Sequence, residues 1–165
     1  MDRSGRWPRC TKHIYANGEH LFPATFTGRG KDVLNTELGR DGIIAWYRNP
    51  TGGTAALAVP YEQSGTHRTM YPDFVFFHEE DGGIVADLVD AHRPDSADTG
   101  PKWSALAESA VKHSKEVRRV LAMIKSADGQ LLSLDLRNPD VAIELAKANN
   151  ETDIRAIFAE YGGTY

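Results

Sequence analysis

Cys10 is the only cysteine in this chain of 165 residues, which excludes both an internal disulfide framework and a cysteine-rich zinc site. Long hydrophobic runs are missing as well. No stretch approaches the ~18 apolar residues of a membrane span, and Arg3, Arg6, Arg9 and Lys12 are not followed by the apolar segment of an export signal. The expected compartment is therefore a reducing cytoplasm, with neither export nor membrane insertion. The chain has no GxxxxGK[ST] loop and so is not an ATP motor on its own. It has no GxSxG elbow for a serine hydrolase. It also lacks HExxH and HxxxH, so His67, His78 and His92 fall at no spacing that marks a zinc site. There is no internal repeat and no low-complexity linker.

What remains is ordinary in bulk and informative in detail. Hydrophobic residues make up 41% and charged residues 25%, the composition of a globular chain, and the length suits one domain across 1–165. Residues 1–11 read as a flexible N-terminal segment and 138–165 as C-terminal helices. Net charge is −4, but its distribution is uneven. Residues 1–48 carry 8 basic and 5 acidic side chains, 49–98 carry 2 and 9, and 99–165 carry 9 and 9. Acids concentrated between neutral or basic flanks suit a hard cation held near phosphate, although a merely solvated acidic loop is the commoner explanation.

Periodicity and turn residues outline the elements. Lys31–Leu38 reads as a short helix stopped by Gly39. Gly42–Arg48 and Ala55–Val59 read as a hairpin around Gly52-Gly53, and Met70–Phe77 pairs with Ile84–Asp90 across Glu80-Asp81-Gly82-Gly83. A polar loop over 91–101 leads through Pro101 into a helix reaching about His113, with Trp103, Leu106, Ala107, Ala110 and Val111 on one face. Val117–Ile124 and Leu131–Leu136 are two further strands around Asp128-Gly129. Asn138-Pro139 starts a helix carrying Val141, Leu145 and Ala148, and a last helix around Ile154, Ile157 and Phe158 ends at Gly162-Gly163. The expected class is α/β or α+β, a mixed sheet flanked by helices.

Alternation along strands selects the chemistry. Asp73, Val75 and Phe77 share one face, as do Ile84, Ala86, Leu88 and Asp90, with His92 continuing that set and Asp87 opposed to it. Antiparallel pairing sets the start of one strand beside the end of the next, so Asp73 and Asp90 are expected to approach at one end of the sheet. Two carboxylates so placed suit Mg²⁺ or another hard cation and phosphodiester chemistry, with His92 or Lys102 beside them. The bland reading is that Asp73 caps a turn and Asp90 opens a loop. Trp46 and Tyr47 read as strand core or as base-stacking groups, Arg48 as a phosphate contact. Lys112, Lys115, Arg118 and Arg119 form the best basic run, either a solvated helix end or a nucleic-acid contact.

Several motifs then fall in order: Ala45-Trp46-Tyr47-Arg48-Asn49-Pro50, Ala58-Val59-Pro60-Tyr61, Tyr71-Pro72-Asp73-Phe74-Val75-Phe76-Phe77, Val89-Asp90-Ala91-His92 and Pro101-Lys102-Trp103-Ser104-Ala105-Leu106. Over roughly residues 12 to 145 this succession resembles the C-terminal region of restriction-type DEAD/DEAH helicases related to type III restriction subunits, a region that looks like a divergent PD-(D/E)xK nuclease domain. The resemblance implies a restriction-endonuclease-like fold and a Mg²⁺- or Mn²⁺-dependent DNA phosphodiesterase working with a helicase motor supplied by another region or chain. It assigns Asp73 and Asp90 as metal-binding acids and Glu37 as a further metal contact. His92 stands where the motif lysine belongs, so either Lys102 has taken that role or the domain is a non-catalytic nucleic-acid-binding or docking module.

Overall fold

The computed structural model describes residues 9–15, 21–23, 26 and 28–165. In chain order the elements are β1 (Arg9–Thr11), β2 (Leu21–Pro23), α1 (Gly28–Leu38), β3 (Ile43–Arg48), β4 (Val59–Gln63), β5 (Thr66–Met70), β6 (Phe74–Glu80), β7 (Gly83–Asp90), α2 (Thr99–Lys112), β8 (Val117–Lys125), β9 (Leu131–Asp135), α3 (Pro139–Lys147), α4 (Glu151–Tyr161) and β10 (Gly163–Thr164). Of the segment expected to be flexible, residues 1–8 lie outside the described residues, whereas Arg9–Thr11 pair with Leu21–Pro23. No helix among the described residues is long and apolar enough to cross a membrane.

Six strands form a mixed sheet in the order β10-β9-β8-β7-β6-β3, antiparallel throughout except for the parallel pair β7 and β8. Parallel neighbours need a crossover, and α2 supplies it. The β6–β7 hairpin forms where expected. Asp81 and Gly82, at φ of +51° and +76°, make the two-residue turn whose twist matches the strands. Side-chain alternation then fills both faces. Val75, Leu88, Val120, Ala122 and Leu134 pack under α2, α3 and α4 around Trp103, Leu106 and Phe158. Phe74, Phe76, Val89, Leu121 and Met123 pack on the other face with Trp46 and with Val33 and Leu34 of α1. Each large side chain so buried contributes about 1.5–3 kcal/mol. The architecture is the expected mixed sheet flanked by helices.

The first expected hairpin does not form. β3 pairs with β6, and β4 pairs with β5 in a separate two-stranded sheet. The physical reason is Asn49, which is buried. Its amide donates to the carbonyls of Leu57 and Pro72 (2.8 and 2.9 Å) and accepts from the Leu57 amide (2.8 Å), so one side chain replaces a rung of backbone pairing. Segment 50–57 is thereby held as a loop, and β3 is free to bury Trp46 beside β6. The run read as a helix end also divides differently: α2 stops at Lys112, and Arg118 and Arg119 open β8.

α2 and α3 meet at Gly100, where an added Cβ would stand 2.6 Å from the Ala148 carbonyl oxygen and 3.3 Å from the Leu145 one. These are backbone atoms that cannot swing aside. Gly100→Ala should therefore lower the unfolding free energy by about 1–3 kcal/mol in urea titration, as overpacking does. An unchanged urea midpoint would show that the two helices are not in close contact.

Candidate active site

At the end of the sheet where β6 begins and β7 ends, the chain brings Asp73 and Asp90 together. Asp73 precedes β6, and its carboxylate accepts from the Ala91 amide (3.0 Å) and from Arg48 Nη1 (2.7 Å), which also donates to the Asp73 carbonyl (3.0 Å). Asp90, the last residue of β7, is almost fully buried and accepts from Trp103 Nε1 at 2.8 Å. Burial, then the neighbouring charge of Asp73, push the Asp90 carboxyl up to about 7, against the Trp103 hydrogen bond and Lys102. The two acids share with His92 and Lys102 a cavity of about 220 Å³, rimmed by Thr51 and Tyr71.

The first turn of α2 carries the cation of this cavity. Lys102 Nζ lies 2.8 Å from Asp98 Oδ2, one helical turn before it, and 3.4 Å from His92 Nε2. Asp98 also accepts from the Ser96 hydroxyl (2.6 Å) and the Tyr61 hydroxyl (3.1 Å). Burial works against its charge, but the hydrogen bonds from Lys102, Ser96 and Tyr61 prevail and hold it well below the usual carboxylate range. Burial and then Lys102 lower the His92 pKa, so His92 is a neutral imidazole at pH 7. In the sequence Trp103 reads as helix core, Tyr61 only as part of a motif, and Asp98 carries no site reading. Asp98 and Lys102 at i,i+4 are a legible acid–lysine pair. The Trp103–Asp90 hydrogen bond has no local signal.

Glu37 is not part of this cavity, which corrects its expected role as a third metal contact. It lies on α1, which covers the opposite face, and it sits with Asp87 and His78. Arg119 Nη2 donates to Glu37 (3.0 and 3.2 Å) and to Asp87 (2.7 Å), and Arg119 Nε also donates to Asp87 (2.9 Å). Arg118 grips both oxygens of Asp87 (3.0 and 2.7 Å), Arg40 Nε lies 3.3 Å from Glu37, and the Tyr165 hydroxyl donates to Glu37. Burial favours the acid form of Asp87, but the two arginines outweigh it and lower its pKa. One ligand atom from each of Glu37, His78 and Asp87 falls within 4.8 Å of the others. The guanidinium groups already neutralise both carboxylates, so this is a closed ion-pair network rather than a cation site.

The expected basic face is dispersed. Arg48 is committed to Asp73 and stacks 4.7 Å from the Phe74 ring centroid, while Arg118 and Arg119 are committed to Asp87 and Glu37. Lys112 and Lys115 are exposed, but Lys112 lies ten residues and hence about 15 Å along α2 from Lys102. His67 is exposed on β5 and His78 is buried with Asp87, and neither lines the cavity that holds His92.

The fold and cavity define an α/β domain with two converging strand-end carboxylates and a helix-borne lysine. The chain belongs to the YagJ family, which matches residues 11–165. Protein YagJ of Escherichia coli (strain K12) is 36% identical over 144 residues, 87% of this chain and 59% of that protein, so the chain spans about three-fifths of the length of this relative. No solved structure matches.

The elevated Asp90 pKa makes stability depend on pH. The folded chain retains a proton that the unfolded chain loses near pH 4, so this contribution is fully present below pH 4 and is lost as pH rises through about 7. Thermal melts should show wild type losing stability relative to Asp90→Asn between pH 5 and 8, by at most ~3 kcal/mol. Parallel melting curves for the two proteins would mean that Asp90 titrates normally.

Proposed function

We propose that this chain is a metal-dependent DNA phosphodiesterase domain, endonuclease-like in action and working with a helicase or ATPase motor in restriction or defence. The observation that carries this reading is the shared cavity of Asp73, Asp90, His92 and Lys102 at the end of the β6–β7 hairpin. The motif order that resembles restriction-type helicase C-terminal regions supports it independently. A cytoplasmic location follows from DNA as substrate and accords with a single cysteine.

The residues fit a hard divalent cation. Asp73 repels the charged form of Asp90 across the cavity, and a cation between them relieves that repulsion. Asp73 and Asp90 would hold Mg²⁺ or Mn²⁺, which when bound polarises a phosphodiester and makes water a stronger nucleophile. Lys102 takes the part of the motif lysine: its ammonium, held 2.8 Å from Asp98, lines the cavity in which a phosphate oxygen would sit. His92, neutral and 3.4 Å from Lys102, can accept a proton from an attacking water. Glu37 has no role in this centre.

One observation favours a second reading. Arg48 Nη1 sits 2.7 Å from Asp73 Oδ1, so a fixed guanidinium already neutralises one of the two acids. A domain in which Arg48 permanently replaces the metal is a nucleic-acid-binding or docking module of the same helicase.

Strand cleavage of single-stranded, duplex and branched DNA in Mg²⁺ and in Mn²⁺ separates the two readings. Asp73→Ala and Asp90→Ala should abolish cleavage while DNA retention persists, and Lys102→Ala should slow it ~10²–10³-fold. His92→Ala should be milder. Cutting that continues unchanged in both aspartate variants rules out the proposed centre; DNA retention with no cutting by wild type favours the docking module.

A further inference from the structure

On the face opposite the acidic cavity, Arg40, Arg118, Arg119 and His78 line a second cavity of about 360 Å³, with Asp41 at its rim. Its base is the Glu37–Asp87 ion-pair network. Arg118 and Arg119 are held there by one edge, and Arg40 by one edge and by the Tyr165 ring, 5.0 Å from its guanidinium. Arg118 and Arg119 commit Nε and Nη2 to the buried carboxylates, and Arg40 commits Nε. Among the described residues Nη1 of Arg118 and Arg119 and both terminal nitrogens of Arg40 carry no hydrogen bond. All three side chains keep between a quarter and two-fifths of their surface in water. His78, 4% exposed, lies 2.9 Å from Asp87 without the alignment of a hydrogen bond, so its Nε2 is a buried polar atom with none.

We infer that this cavity is a binding site for a phosphate monoester dianion, independent of the phosphodiesterase reading. Three guanidinium groups carry +3 against the −2 of Glu37 and Asp87 at the base and the −1 of Asp41 at the rim, so the attraction comes from the N–H edges turned to the cavity and not from net charge, and the buried carboxylates fix those edges so that little side-chain freedom is lost on binding. Planar guanidinium N–H pairs match the oxygens of a terminal phosphate, and a dianion gains twice what a diester would from the same charges. Asp41 at the rim and Glu80 near Arg118 oppose an anion, and both are exposed. Two sources offer this chemistry: inorganic phosphate or a small phosphate ester, and the 5′-phosphate of a nucleic-acid end.

The test is calorimetric titration with inorganic phosphate at fixed ionic strength, compared with chloride. Wild type should bind phosphate, Arg40→Gln should bind it about tenfold or more weakly, and Asp41→Asn should bind it up to about fivefold more tightly. Asp41 is exposed and unpaired with the core, so Asp41→Asn should melt as wild type does, while Arg40→Lys keeps the charge beside buried Glu37 and serves as a partial rescue that separates lost binding from lost stability. A 5′-phosphorylated oligonucleotide binding more tightly than its 5′-hydroxyl twin, with the difference lost in Arg40→Gln, assigns the site to strand ends. Equal oligonucleotide binding with phosphate binding intact assigns it to free phosphate or a small ester. Phosphate binding no better than chloride in wild type, or unchanged in both variants, overturns the site. None of these measurements involves cleavage, so the outcome is separate from that of the phosphodiesterase reading.

Discussion

The register of the β6–β7 hairpin controls both charged sites of this protein. Phe74 faces Val89 and Phe76 faces Asp87 on one face of the sheet, with Val75 opposite Leu88 between them on the other. This alternation sends Asp90 under α2 beside Asp73 and sends Asp87, three residues earlier, under α1 beside Glu37 and His78. A slip by one residue would move every side chain of one strand to the other face, burying Phe74 and Phe76 where Val75 and Phe77 belong and separating Asp73 from Asp90. The aromatic packing of Phe74 against Phe76 and Trp46 on one side, and of Trp103 against Phe158 on the other, makes that slip costly. Core packing therefore fixes the position of the chemistry.

The two faces treat a buried acid in opposite ways. Under α1, Asp87 and Glu37 are both paired with arginine, which lowers the Asp87 pKa and leaves no place for another cation. Under α2, Asp90 has a neutral donor in Trp103 and an acid for a neighbour, so its carboxyl holds a proton up to about pH 7. A carboxyl in that state lacks only a counter-charge to become a stable anion. This is why the proposed cation belongs on the α2 face, although three potential ligands cluster more tightly on the other.

α2 joins the core to the site. Trp103 is wholly buried in the main cluster and donates its indole N–H to Asp90, while the preceding residue, Lys102, reaches the same cavity from the half-exposed side. Asp98 fixes Lys102 one turn earlier, and Gly100 between them lets the helix lie against α3 at backbone distance. Packing and site geometry thus rest on one helical turn, so disturbing the Gly100 contact would also shift Lys102.

Local chemistry in the sequence was enough for the elements whose partners are close along the chain. The Asp81-Gly82 turn, the Asp128-Gly129 turn and the Asn138 cap each act within a few residues, and they appear where periodicity and turn residues put them. The pairing of Asp73 with Asp90 was equally legible, because a tight hairpin converts sequence separation into strand position. Tertiary structure alone decided that β3 passes over the Gly52-Gly53 turn to join β6, because a buried Asn49 amide bridges segments 8 and 23 residues away. It also decided that Glu37 and Arg119, 82 residues apart, form a pair on the wrong side of the sheet for the proposed centre. Side-chain alternation tells which residues share a face of one strand. Which face a distant helix covers depends on long-range packing that no local pattern encodes.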